Sequence, residues 1–467
     1  MFARWGGYAV CAAGFVLTLA AFYPGMMSPD STDQWEQGRR WWFYDAHPPL
    51  MAAVWGLLDR VVEGPALMLL FHNLLFWGGA AVFWRTTRDR APRASLAFAA
   101  FGFLPPVWAS LGTIWKDVGM GAALLLASAL VYAAAGRQER GGRVFWALLL
   151  ASALLMFYAY GVRLNAAPGV LPLALWGGFV ACRALPHSWG KRRRRLAPLA
   201  VGLVYFALLT AAVSVTTRLL VRENTVYPHQ QIFLFDLAAV AAETGRPRYP
   251  DYLLRQERFS PAAAAEALAP CGVNPLIYGS SAPMRISRDA GEVASLRATW
   301  LRAVYEEPGA YLRHRARVFA CLTGIGGEQR VNTFLPATGG YNPPQFRRAP
   351  NALTRALTSY FFLFNNSPLF RGFVWLLLCA ASAYVALRLG PGGREERAAF
   401  ALALSGLLYG LGYFFYGPSS EFRYLWWTVL AACAAVALLL VRAAAGRVPG
   451  ARGAVIPSEN DAAPAGS

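Results

Sequence analysis

Most of the short patterns that mark soluble enzymes are missing from this chain. It has no Walker loop, no HExxH, no GxSxG and no two-carboxylate glycosidase motif. Its six cysteines include no CxxC and no metal-ligand spacing, which removes a zinc ribbon or dithiol redox centre. No repeat of solenoid period is present, and no small-x-small cleavage site follows the first apolar run, so that run reads as a retained span and not a removed signal peptide. Charge is scarce as well. Charged residues make up 15% of the 467 positions, hydrophobic residues 56%, and the mean hydropathy is +0.35. This is not the composition of a soluble protein.

The charge that does exist is lopsided, 44 Lys and Arg against 25 Asp and Glu, with a pI near 10.1. A basic chain can bind nucleic acid, but here the basic residues sit mainly in short loops between apolar runs and in one long central segment. That distribution is membrane topology, and nucleic acid is not an expected partner. Ten runs approach the roughly 20 apolar residues a membrane helix needs: about 7–27, 65–84, 95–112, 118–135, 144–160, 165–182, 197–217, 369–388, 398–415 and 424–442. The stretch Leu50–Val62 is apolar but short and carries Asp59 and Arg60. With it lying at the interface, one side of the membrane collects Arg4, the Arg85–Arg93 cluster, Arg137/Arg140/Arg143, Lys191–Arg195 and Arg388/Arg394/Arg397. The positive-inside pattern then makes that side, and the N-terminus, cytoplasmic.

The expected fold is therefore an all-α polytopic membrane protein of about ten transmembrane helices. Residues 1–217 form a core with juxtamembrane helices at 28–64, residues 218–368 a mostly helical outer-face domain, and residues 369–443 the last spans. A tail over 444–467, rich in Ala, Gly, Pro and Ser, reads as disordered and cytoplasmic. Cys11, Cys182, Cys379 and Cys433 fall in apolar runs as packed thiols. Cys271 and Cys321 fall in the outer segment and could pair if it is exported; sequence gives no distance between them.

The stretch Tyr23–Leu50 concentrates the chemistry. Ser28-Pro29-Asp30 reads as a helix start, with a hydroxyl cap, proline at the first position and an acid in the first turn. Asp30, Asp33, Gln34 and Gln37 then share one helical face. Other polar residues gather at the outer ends of later spans: Trp115-Lys116-Asp117, Arg163 with Asn165, and Glu421 with Arg423 and Tyr424. With His47 they could enclose one site. Lys and Arg there would suit a phosphate and a carboxylate an attacking hydroxyl. Each also has a plain reading: Lys116 snorkels or pairs with Asp117, and Arg423 pairs with Glu421. His72 and Asn73 read as a helix–helix hydrogen bond, and the Lys191–Arg195 run as a topology signal and anionic-lipid contact; Arg313, His314, Arg315 and Arg317 could bind an acidic substrate but read first as a solvated face or a headgroup contact.

The pattern resembles the GT-C superfamily of integral membrane glycosyltransferases in its SPDS (Asp30), HPPL (His47, Pro48, Pro49) and late RY (Arg423, Tyr424). It is also similar to a group of bacterial membrane proteins with PG…DS..Q…HP…WKD, here Pro24-Gly25, Asp30-Ser31, Gln34, His47-Pro48 and Trp115-Lys116-Asp117. The likeness covers the N-terminal third well and the last spans loosely. It implies an inner-membrane enzyme that takes a sugar from a polyprenyl-phosphate donor to a lipid, glycan or protein hydroxyl at the outer face. Asp30 would be the leading catalytic residue with Asp33 in support. Lys116, Arg163 and Arg423 would hold the donor phosphate, with His47, Trp115, Asp117, Asn165, Glu421 and Tyr424 around the substrate. The GT-C loop commonly carries an adjacent Asp-Glu pair. Here the acids lie one helical turn apart, which leaves open which is the base and whether a divalent cation takes part. The competing readings are a lipid-linked substrate transporter or flippase and a non-catalytic membrane assembly partner.

Overall fold

The computed structural model describes residues 2–137, 142–184, 191–255, 257–269, 271–326, 341–390 and 392–446. The 444–467 tail of the sequence reading lies outside these from residue 447 onward. Helix α1 (Phe2–Phe22) ends one residue before Tyr23-Pro24, short of the expected 27, because proline offers no N–H to continue the ladder. Two short helices follow, α2 (Pro29–Arg40) and α3 (Pro49–Asp59), and then α4 (Ala66–Thr87). Helices α5 (Pro92–Ser95), α6 (Ala97–Ala100) and α7 (Pro105–Leu111) replace the straight span expected at 95–112. The chain bends there by 57° ahead of Pro105-Pro106.

The remaining core helices are α8 (Lys116–Ala135), α9 (Gly142–Val162), α10 (Ala167–Arg183) and α11 (Lys191–Leu220). Outside them lie α12 (Gln230–Thr244), α13 (Pro261–Ala267), α14 (Asn274–Ile277), α15 (Ala290–Glu306) and α16 (Pro308–Thr323). The chain returns through α17 (Ala352–Phe364) to α18 (Gly372–Arg388), α19 (Arg394–Tyr416) and α20 (Trp426–Ala445). Two short strands, β1 (Phe43–Tyr44) and β2 (Val221–Glu223), pair in parallel.

The protein is thus an all-α polytopic membrane protein. Among the described residues eight helices are long and apolar enough to cross a bilayer, or nine with the bent pair around Pro105 counted as one span. Helix α18, expected as the eighth of ten spans, has 17 residues and falls just short by length. Helix α3, at 11 residues, reaches about 16 Å, half a hydrocarbon core. Helix α8 sits at the centre and is almost wholly buried, whereas α11 lies on the rim with most of its apolar side chains open, as a lipid-facing helix requires. The outer segment has a separate core built from Leu234, Phe235, Leu253, Leu276, Met284 and Leu296. Helix α17, placed with that domain by sequence, instead packs on α1 and α7 and gives Leu357 and Phe361 to the membrane core.

Two features tie neighbouring parts of the fold together. Helices α2 and α3 cross backbone to backbone at Gly38 and Gly56: a Cβ on Gly38 would stand 2.4 Å from the Ala52 carbonyl oxygen, and one on Gly56 2.3 Å from that of Gly38. Cys271 and Cys321 form a disulfide, while Cys11, Cys182, Cys379 and Cys433 are free thiols. Glu395 and Glu396 are buried at the opposite end of the bundle, paired with Arg90 and Arg442. His314 and Arg315 are buried as well, so they are not part of a solvated face; both meet Asp236, Arg315 at 2.7 Å. Burial pushes the Asp236 carboxyl up to about 6 even beside that guanidinium.

Gly38→Ala has no side chain it can push aside, since its obstacles are main-chain atoms. It is expected to lower stability by about 1–3 kcal/mol, read as a reduced Tm in detergent; an unchanged Tm would contradict the close crossing. In denatured protein, maleimide labelling should reach four cysteines before reduction and six after it.

Candidate active site

Ser28 caps α2 by accepting from the Ser31 amide, and the Ser31 hydroxyl closes a reciprocal capping box. That hydroxyl also reaches the Ile114 carbonyl at 2.6 Å, and the Ile114 amide donates to Met26 at 2.9 Å. The start of α2 is thereby tied to the loop that carries Trp115 and Lys116. The chain after α2 is fixed from elsewhere. The Asp45 carboxylate accepts the backbone N–H groups of Thr225, Val226 and Tyr227 at 2.9, 2.9 and 2.7 Å, which seats His47 between the first loop and the outer segment. Asn342 donates to the Gly25 carbonyl at 2.8 Å and accepts from the Met27 amide at 2.9 Å.

These ties surround a cleft of about 1560 Å³ between the bundle end and the outer segment. Asp30, Asp33, His47, Trp115, Lys116, Arg163, Asn165, Glu421, Arg423 and Tyr424 all line it. Asp117 does not. It lies fully buried behind the wall, 2.9 Å from the Arg163 Nε, so the partner of Asp117 is Arg163 and not Lys116. Lys116 instead donates to His47 Nδ1 at 2.7 Å. Arg423 pairs with Glu421, as its plain reading held, and with Asp30 at 3.1 Å. Its guanidinium lies over Trp115, 4.9 Å from the ring centre, and its Nη1 is buried with no hydrogen-bond partner among the described residues.

The two acids differ in their freedom. Asp33 accepts from the Tyr44 hydroxyl and from Gln37 at 2.8 Å. Asp30 has the Arg423 contact on one oxygen, His47 Nε2 4.0 Å from the other, and a side chain 35% exposed to the cleft. Enclosure would raise the Asp30 carboxyl, but Lys116, then Arg423 and His47, hold it far below the usual carboxylate range. Burial, reinforced by the Lys116 charge, pushes the His47 imidazole down to about 3 against the pull of Asp30. His47 is therefore neutral at physiological pH. With Nδ1 accepting from an ammonium that can only donate, its proton belongs on Nε2, facing Asp30 and Asp33.

No family model, curated protein or solved structure matches the chain. The geometry has to carry the reading.

His47 Nδ1 faces the Lys116 donor, Asp33 accepts from Gln37, and Asp30 meets Arg423. Among the described residues no group of three His, Cys, Asp or Glu side chains has the arrangement of a metal site.

Several residues in or behind the cleft wall were not singled out by the sequence reading. Tyr44, which orients Asp33, sits in a two-residue strand. Tyr413 bonds Arg163 at 2.8 Å and Asn165 at 2.9 Å, and Tyr409 bonds Tyr413 at 3.0 Å. The signal for these was the Tyr409, Tyr413, Tyr416 spacing at the end of a span, one helical face of hydroxyls. His229, Gln231, Asn274, Tyr278 and Arg288 reach the cleft from the outer segment, where nothing local singles them out.

The depressed imidazole has a pH signature. Stability from neutral His47 is complete above the ordinary value of 6.5 and is lost as pH falls towards about 3. Wild type is expected to lose Tm below pH 6.5 more steeply than His47→Gln, which cannot titrate there; parallel curves would refute this.

Proposed function

We propose that this protein is a membrane glycosyltransferase. It takes a sugar from a polyprenyl-phosphate donor and passes it to a hydroxyl of a lipid, glycan or protein acceptor. The observation that carries the reading is Asp30: an ionised, partly open carboxylate in one cleft with Lys116, Arg163 and Arg423, at the end of an apolar bundle. Three cations beside membrane helices suit a phosphate attached to a lipid tail, and Arg423 has a donor to spare.

The chemistry follows from those positions. The acceptor oxygen attacks the anomeric carbon from the face opposite the phosphate; that C–O bond forms as the carbon–oxygen bond to phosphate breaks, inverting the centre. The hydroxyl proton passes to Asp30. The phosphate leaves with the bonding pair, and Arg423 and Lys116 stabilise its charge. Alone, an Asp30 held so far below its usual range is a weak base. A donor phosphate competes with it for Arg423 and adds negative charge nearby, and both effects raise its proton affinity on substrate binding. His47 Nε2 faces Asp30 at 4.0 Å and lies 3.8 Å from Asp33, which Tyr44 and Gln37 tie.

On this reading the cleft faces outward from an inner membrane, with the N-terminus cytoplasmic, in keeping with the distribution of basic residues. The Cys271–Cys321 bond supports an exported outer segment, because disulfides persist in oxidising compartments.

The test uses wild type and Asp30→Asn in lipid nanodiscs, supplied with a panel of polyprenyl-phosphate sugars. Release of polyprenyl phosphate by wild type is expected to fall by about 10²–10⁴-fold in Asp30→Asn, while Arg423→Ala is expected to weaken donor binding. Equal release by both proteins would overturn the assignment of Asp30. Movement of donor lipid across the bilayer at equal rates in both, without release, would favour a transporter.

A further inference from the structure

The loop from Gly417 to Glu421 carries the residues that aim Arg423, and it is held from outside the membrane core. Ser419 donates to Glu421 and sits 3.4 Å from the Tyr424 hydroxyl; Glu421 pairs with Arg423, and Arg423 with Asp30. Two successive carbonyls at the head of this loop are taken by donors of the outer segment. Arg315 Nη1 donates to Gly417 at 3.0 Å, and the Val273 amide donates to Pro418 at 2.9 Å. Gly272 packs closely enough that a Cβ there would stand 3.2 Å from that of Ser419.

Both grips trace back to α16. Arg315 is fully buried on that helix, and its other arm meets Asp236 at 2.7 Å; Asp236 also accepts from Trp300 at 2.8 Å. A guanidinium can fork between a carboxylate and a carbonyl in this way, whereas a lysine ammonium is a single point of charge. Cys321 lies six residues further along the helix and is bonded to Cys271, next to Gly272 and Val273. Arg315 lines no part of the cleft, and the Asp236 contact alone does not explain why one arm points at Gly417.

We propose that Arg315 is a positioning residue. It fixes the Gly417–Glu421 loop so that Arg423 presents its guanidinium to the donor phosphate, and the Cys271–Cys321 bond secures the second grip at Pro418. The outer segment thereby sets the affinity of a phosphate site whose own ligands all lie elsewhere. The phosphate part of this rests on the function proposed above; the grip on the loop does not.

Arg315→Lys separates the two roles, because it retains a charge for Asp236 and gives up the fork. Two measurements apply to the full-length protein: binding of vesicles containing polyprenyl phosphate, and hydrogen exchange of the 417–424 amides. Arg315→Lys is expected to weaken binding about tenfold, the worth of one hydrogen bond to a charged donor, and to speed exchange in 417–424 while amides of α12 and α15 stay protected. The Cys271→Ser/Cys321→Ser double variant, which leaves Arg315 untouched, is expected to shift both measurements in the same direction. Wild-type exchange and binding in both variants would overturn the proposal. If wild type itself binds no polyprenyl phosphate, the transferase reading falls, whereas faster 417–424 exchange in Arg315→Lys would still support the grip.

Discussion

A cation at the end of an apolar bundle needs a counter-charge, and the source of each counter-charge decides the architecture of this cleft. Arg163 is matched by Asp117 from the first turn of α8, deep in the wall. Arg423 draws one carboxylate from within its own loop and another, Asp30, from the far end of the chain. Lys116 has a neutral imidazole at its tip and no carboxylate in direct contact among the described residues. The three cations thus differ in kind. Arg163 is the most deeply paired, Arg423 is divided between Glu421 and Asp30, and Lys116 is the least committed.

The first loop meets this electrostatic demand through close packing. Crossing at paired glycines lets α2 approach α3 near enough to fix its axis, so the Asp30 carboxylate reaches Arg423 without a long flexible side chain. The side chains that hold the loop, Ser31, Asp45 and Asn342, bond chiefly to backbone groups. Their partners at Ile114, Thr225 and Gly25 could change identity without losing the bond. Orientation in the cleft is therefore set largely by main-chain geometry.

Much of this was legible from residues alone. The membrane class followed from hydropathy, the start of α2 from Ser28-Pro29-Asp30, and the short α3 from the length of Leu50–Val62, because each rests on local composition and periodicity. The shared location of Asp30, His47, Lys116, Arg163 and Arg423 was also legible, since topology brings alternate loops to one membrane face. Pairing was not. Whether Lys116 meets Asp117 or His47 turns on which way the first turn of α8 faces, a tertiary matter. Arg315 looked like one of several arginines on an exposed helix; only the packing of α12, α15 and α16 shows it enclosed. The break before Pro105 was written in the sequence as Leu-Pro-Pro, but hydropathy averaged over a window passes across it.

The Asp30–Arg423 contact joins residues 393 positions apart. A chain emerging from the ribosome inserts its first loop long before the last span exists, and domains built on such distant contacts close late. Through most of synthesis Asp30 and Asp33 stand at the membrane surface with Arg423 still unmade. On the proposed function, a cleft completed only once Arg423 is made cannot hold lipid phosphate while the earlier helices are being threaded into the bilayer.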